Sequence, residues 1–433
     1  MHQSEQSSNI MGYGTGDGPN RGRVVLHVDL NNFFASVECA NSNDKSLYKK
    51  PVAVCGDAGL RHGIILAKNE TAKLYGVKTA DTINEAKKKC PSLVLLSAHY
   101  DLYMKYSRAA RQIYLRYTDR VEPFGMDEAW LELTGCPGVR SISDGKNVAD
   151  KIRSVVKKEL GVTVSVGVSD NKVFAKLGSD YKKPDATTVF SPSEYSLVRA
   201  LPVSDVLYAG RSTTAKLRSF GITSVGDLAD KDICFVKSIL GKNGEMLRRF
   251  CRGEDTSPVA VFGSVTEAKS IGNSTTPPRD ITGFFDAKLV LSSLCDTVCT
   301  RLREENLKCR GIKMHFRDTQ LHSFERQMQL GFSTSSAKDL LAFSCRLLAE
   351  NVDLSVTPLR SIGVCAIQLS PAGGDVQMSF FADTDGKKDV IDKTVDKLRR
   401  RFGTSKISTA LSLCDTEGLG GIARGYEVFT NLR

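Results

Sequence analysis

The 433-residue sequence contains no apolar run near the ~20 residues that a membrane-spanning helix needs. Its first 23 residues (MHQSEQSSNIMGYGTGDGPNRGR) have neither the charged start nor the apolar stretch of a secretory signal. A soluble intracellular protein with no membrane partner is the expectation. The 12 cysteines form no Cys-x-x-Cys pair and have no His at metal-ligand spacing, which excludes the common zinc motifs and favours buried thiols in a reducing compartment. Gly12, Gly14, Gly16 and Gly18 precede the first strand pattern instead of following it, so they make no dinucleotide loop, and residues 1–23 read as a disordered leader. No internal repeat is visible.

What remains is an ordinary globular composition, 41% hydrophobic and 25% charged, in a chain too long for one typical domain. Lys and Arg number 60 against 49 acids, a net charge of +11, and such an excess commonly marks a phosphate-bearing partner. The stretch 61–120 concentrates it, with 12 basic and 5 acidic residues, so an anion is expected there.

Val24 to Leu30 (VVLHVDL) reads as a buried strand delivering Asp29 at its C-terminal end, with a short helix just beyond. A second strand at 51–55 and helices at 69–75, 83–89 and 101–118 follow. Val121 to Leu133 (VEPFGMDEAWLEL), broken at Gly125, predicts a β-hairpin with Asp127 and Glu128 at its turn. After a helix at 146–160 comes a strand at 162–168, and this order suggests an α+β sheet with helices on one face. Beyond Lys183-Pro184 the pattern turns helical, with glycines at 210, 221, 226, 241 and 244 bounding short helices. From Val259 strands at 267–272, 311–317, 322–330 and 362–369 interleave with helices at 286–305 and 335–351, predicting two helices on a four-stranded sheet; one further helix falls at 389–402.

Asp29, Asp127 and Glu128 stand on or beside apolar strands, where an unpaired charge is costly. Strands carrying acids side by side make an oxygen-rich pocket suited to Mg²⁺, a hard cation. Exposed acids at a hairpin turn fit the same spacing. The strings HVDLNNFFASVE (27–38), AKNETAKLYGVKT (67–79), GMDEAWLELTG (125–135), VSVGVSDNKVFAKLGSDYKKP (164–184) and KSIGNSTTPPRD (269–280) together resemble, in content and order, the Y-family translesion DNA polymerases, closest to the DinB or DNA polymerase IV branch. The resemblance spans 24–402 and implies an α+β, right-hand-like fold. Its palm would come from 24–39 and 91–183, fingers from 40–90, a helical thumb from 184–258, an α+β little finger from 259–371 and a tail from 372–433.

The resemblance further implies a low-fidelity, template-directed polymerase that extends a primer past damaged template without proofreading. Asp29, Asp127 and Glu128 would be the catalytic acids, holding two Mg²⁺ ions together with the Leu30 carbonyl. Phe33, Phe34, Lys73 and Lys183 would bind the nucleotide, with backbone amides of Asn32 to Phe34 on the phosphates and Lys68 as a substitute for Lys73. Phe34 would be the steric gate against a 2′-hydroxyl, and the small or aliphatic Gly63 to Lys68 the roof over the base pair. Many relatives carry Tyr and Arg where this chain has Glu70 and Lys73, which replaces a bidentate contact by a point charge. Gly210 and Arg211, in a helix-hairpin-helix over 208–228, and Lys269, Ser270 and Arg279 would hold DNA. Gln377, Phe380 and Phe381 resemble a sliding-clamp peptide. The partners implied are primer-template DNA, dNTPs and that clamp, with the chain itself a monomer. A palm-type nucleotide cyclase and a DNA-binding scaffold with a non-functional site are the other readings. Asn31 and Asn32 carry no functional reading.

Overall fold

A computed structural model of the chain describes residues 22–56, 63–264, 267–373, 385–403, 406–407, 409–413 and 419. These residues fall into two compact units. Among them no helix is long and apolar enough to cross a membrane.

The first unit is built on Val25–Leu30, a strand buried along its whole length. It is central in a five-stranded sheet of spatial order Val121–Phe124, Glu128–Glu132, Val25–Leu30, Val164–Ser169, Thr187–Phe190. Only the last pair is parallel. The sequence order suggested helices on one face, but both faces are covered. Gly145 of helix Ile142–Leu160 lies against Val24, Leu26 and Val168, whereas helix Lys172–Tyr181 crosses the opposite face over His27 and its register partner Gly167. A strand buried on both sides reads as a nearly continuous apolar run, which is the pattern VVLHVDL has.

The crossing on the His27 face is unusually close. A Cβ on Gly167 would stand 1.8 Å from the Ala175 carbonyl oxygen, and one on Gly178 3.0 Å from the Gly167 Cα. Only glycine at these positions lets the helix backbone rest on the strand. The helix's outer side chains Val173, Phe174 and Leu177 then join Val198, Leu217, Ile222 and Leu247 in the core of the helical region that follows. In that region Gly221 and Gly241, with φ of 73° and 63°, do end helices. Gly226 and Gly244 instead lie inside helices Val225–Asp230 and Lys242–Cys251, where a Cβ would meet the Arg199 and Val236 carbonyls at 3.1 and 2.7 Å.

The second unit contains an antiparallel sheet of order Ser323–Thr334, Leu307–Asp318, Leu359–Pro371, Ser270–Thr275. Helices Phe284–Glu304 and Ala337–Asn351 contribute to one apolar core with it, so the predicted pattern of two helices on four strands is present. A helix at Asp385–Phe402 is tied back by Asp396, whose carboxylate receives the Arg303 guanidinium at 2.6 Å with both side chains buried.

Candidate active site

Two local rules bring the acids together. Residues directly opposite on antiparallel strands share a face, and Asp29 is opposite Glu128. The hairpin linking Val121–Phe124 to Glu128–Glu132 turns through Gly125, whose φ of 78° favours glycine, and the Leu30 N–H donates to the Asp127 carbonyl at 3.0 Å. The hairpin tip is thereby fastened to the end of the central strand. Buried Arg111 holds it from the other side, donating to the Gly125 carbonyl at 2.9 Å. The hairpin predicted at 121–133 is present, and Asp127 and Glu128 lie where the turn meets the second strand.

Each acid has a different electrostatic setting. Asp29 is only 5% exposed, and burial, reinforced by Glu128 and Asp127, raises its pKa to about 7 despite Lys183 at 2.7 Å. Burial, and then Glu128, also raises Asp127. Glu128 goes the other way. Burial alone would raise it, but His27 and Lys176, with nitrogens at 3.1 and 2.5 Å, hold it at about 2. His27 is fully buried, and that burial lowers it to about 4, so it is neutral at pH 7. Its Nδ1 lies 2.7 Å from Ser179 Oγ, whose hydroxyl donates to the Lys176 carbonyl at 2.8 Å.

Lys183 stands between Asp29 and Asp180, 2.7 Å from each. Burial opposes its charge, but the two carboxylates outweigh that and raise its pKa. The Tyr114 hydroxyl is buried with no hydrogen-bond partner among the described residues, and its electrostatic neighbours are Asp29, Arg111 and Asp127. Buried Asp29 and half-buried Asp127 thus lie beside an orphaned hydroxyl, and these groups offer only oxygen ligands. This chemistry fits a hard divalent cation. Among the described residues no three acidic, His or Cys side chains already converge on a metal-holding point.

The residues expected to face the nucleotide lie in the same unit. Phe33 is buried, and Phe34 is half-buried against Tyr103. Asn32 adopts φ 50°, a left-handed conformation that Asn tolerates, immediately before helix Phe33–Asn41. Its side-chain amide donates to Glu70 Oε1 at 2.8 Å, and the same oxygen receives Lys73 at 2.7 Å. Lys73 is therefore already paired, and Lys68 acts on Glu70 through its charge. Asn31 is buried and bonds Thr163 and Ser165 of the neighbouring segment, a structural task.

Gly210 precedes helix Arg211–Ser219, and Val225–Asp230 follows the turn at Gly221, so both predicted helices of the 208–228 hairpin exist. In the second unit Lys269 and Ser270 are exposed at the start of an edge strand, and Arg279 bonds the Asp286 carboxylate at 2.6 and 3.1 Å. Gln377, Phe380 and Phe381 lie outside the described residues. The sequence reading did not single out His27, Lys176 or Ser179. The available signal was periodicity, since His27 is two residues before Asp29 on one strand face and Lys176 and Ser179 are one turn apart.

Residues 28–180, which carry all three acids, match the impB/mucB/samB family, and residues 268–380 match its C-terminal domain. A solved chimera of Y-family DNA polymerases shares the fold at a TM-score of 0.70 and 24% identity, covering 80% of this chain and 99% of that one. The fold is the mixed α and β fold of those polymerases. Among curated proteins, the DNA polymerase IV of Acetivibrio thermocellus is 45% identical over 396 residues, 91% of this chain and 98% of that protein. The DNA polymerase IV of Clostridium acetobutylicum is 31% identical over 400 residues, covering 90% and 98%. The chain belongs to the impB/mucB/samB family, in the DinB-like branch of the Y-family DNA polymerases.

Proposed function

We infer that the chain is a template-directed, low-fidelity DNA polymerase that extends a primer from dNTPs past damaged template, with Asp29, Asp127 and Glu128 as its catalytic acids. The observation that carries this reading is the pairing of buried Asp29 with half-buried Glu128 at the sheet centre, with Asp127 fastened to Leu30, inside the family-matching segment. In the reaction the primer 3′-hydroxyl attacks the α-phosphate and pyrophosphate leaves. Two bound Mg²⁺ ions would acidify the hydroxyl and stabilise the leaving oxygens.

The three carboxylates and the Leu30 carbonyl would hold those ions. Lys183 would pass from Asp29 towards the triphosphate as that charge arrives, and the amides of Asn32 to Phe34 at a helix start add donors. Phe34 excludes the 2′-hydroxyl, while Phe33 is buried beneath it. Gly210 and Arg211 grip the duplex backbone without reading sequence, and Lys269, Ser270 and Arg279 do so from the little finger. Gln377, Phe380 and Phe381 dock on the sliding clamp, and the chain works as a cytoplasmic monomer. Domain limits follow the sequence reading, with palm at 24–39 and 91–183, fingers at 40–90, thumb at 184–258, little finger at 259–371 and tail at 372–433.

A cyclase or a decayed scaffold has no support in the family match or in the intact acid set. The test is single-nucleotide addition to a primer opposite each of the four template bases with Mg²⁺. Addition that follows the template base is expected. Addition that ignores it would contradict template direction, and none at all would contradict the activity.

A further inference from the structure

The ring assigned as the steric gate is itself held by a chain of contacts ending in a buried carboxylate. Phe34 stacks on Tyr103 with centroids 4.2 Å apart and planes 12° from parallel. Isolated aromatic pairs settle at about 4.5–7 Å and prefer offset or edge-to-face geometry. Tyr100 meets both rings edge-on, at 5.9 Å from Phe34 and 5.8 Å from Tyr103, and blocks lateral sliding. Tyr103 is fully buried, and its hydroxyl donates to Glu38 Oε1 at 2.5 Å.

Glu38 follows Phe34 by four residues on helix Phe33–Asn41, so the two side chains share a face, one turn apart. Its carboxylate is buried, at 9% exposure, and the His99 Nδ1 is 2.9 Å from the same oxygen. His99 immediately precedes helix Tyr100–Tyr114, which carries both tyrosines. One carboxylate thus ties the helix bearing the gate to the helix bearing its stacking partner. A buried carboxylate is costly unless hydrogen-bonded, and this one is bonded to the tyrosine behind the gate and to the residue that starts the tyrosine's helix.

We propose that Glu38 is a positioning residue for sugar selection: by anchoring the Tyr103 hydroxyl it fixes the plane of Phe34 and so sets how firmly the site rejects a ribonucleotide. The proposal rests on the reading of Phe34 as the gate. Burial, and then the Glu38 bond, push the Tyr103 hydroxyl well above its ordinary pKa, so it remains a donor across the working pH range.

The test is kcat/KM for a dNTP and the matching rNTP opposite one template base, compared as a ratio, for the unaltered chain, Phe34→Ala, Tyr103→Phe, Glu38→Ala and Glu38→Gln. A merely structural loss lowers both substrates together and leaves the ratio alone. Phe34→Ala is expected to raise relative rNTP use most. Tyr103→Phe keeps the ring and drops the hydroxyl, and it and Glu38→Ala should each raise relative rNTP use by about tenfold, the scale of one hydrogen bond to a charged group. Glu38→Gln, which retains an oxygen acceptor, should stay close to the unaltered ratio. If Glu38→Ala fails to fold, Tyr103→Phe alone decides. A relaxed ratio in Phe34→Ala with an unchanged ratio in Tyr103→Phe overturns the role of Glu38 and leaves the gate standing. An unchanged ratio in Phe34→Ala removes the gate, and the proposal with it.

Discussion

Asp29 and Glu128 face each other across one sheet, yet their surroundings push them to about 7 and about 2. The difference lies in partners: Glu128 has His27 and Lys176, whereas Lys183 only partly offsets the burial of Asp29. The acids were legible from sequence because a buried strand and a glycine-broken hairpin are local patterns. Their partners were not, because Lys176 is 48 residues from Glu128 and Lys183 is 154 from Asp29, and only the helix crossing brings them close. The Glu70 and Lys73 departure also resolves at this scale, since the two form a pair that also receives Asn32. Such an exposed pair adds little stability, about 0–1 kcal/mol. Its effect is on charge: Glu70→Gln would release Lys73 towards a triphosphate. The expected result is a fall of about two- to threefold in KM for dNTP, measured in steady state. An unchanged KM would contradict a phosphate-facing role for Lys73.

Among elements, helix Lys172–Tyr181 connects the site to the helical region behind it, because Gly167 and Gly178 let it lie directly on the strand. Sequence alone registers such glycines as breakers, and Gly226 and Gly244 were read that way. Their function is close backbone approach, which only the tertiary packing reveals. Helix starts were more legible, since caps are local. Helix Val225–Asp230 opens with a capping box in which Asp227 Oδ2 accepts from the Thr223 and Ser224 amides at 2.9 and 2.8 Å. Those bonds hold the Asp227 carboxyl at about 2. A depressed acid stabilises the fold above its unfolded pKa, near 4, and that contribution fades as pH falls towards 2. Asp227→Asn should therefore cost about 1 kcal/mol in urea unfolding at pH 7, with the gap shrinking between pH 4 and pH 3. A gap equally large at pH 3 would show that packing, not the carboxylate, carries the cap.

For the whole molecule, most strands and helices were readable over both units, but the four-residue strands Val94–Ser97 and Thr187–Phe190 were not, the second lying where the pattern beyond Lys183-Pro184 read as helical, because runs that short show no period of their own. The coverage of the five-stranded sheet on both faces was not readable, because a buried strand's run does not say which helix covers which side. The anchoring of helix Asp385–Phe402 through the buried Arg303–Asp396 pair was equally hidden, since it joins positions 93 residues apart. The central claim is that a polymerase right hand performs nucleotidyl transfer on the acids fastened at the end of Val25–Leu30. The most direct measurement is Mg²⁺-dependent primer extension by the unaltered chain and by Asp127→Ala, with primer-template affinity measured on both at fixed salt. Extension lost in Asp127→Ala with DNA affinity retained is the expected result. Extension that survives Asp127→Ala, or that fails only because DNA no longer binds, would contradict it.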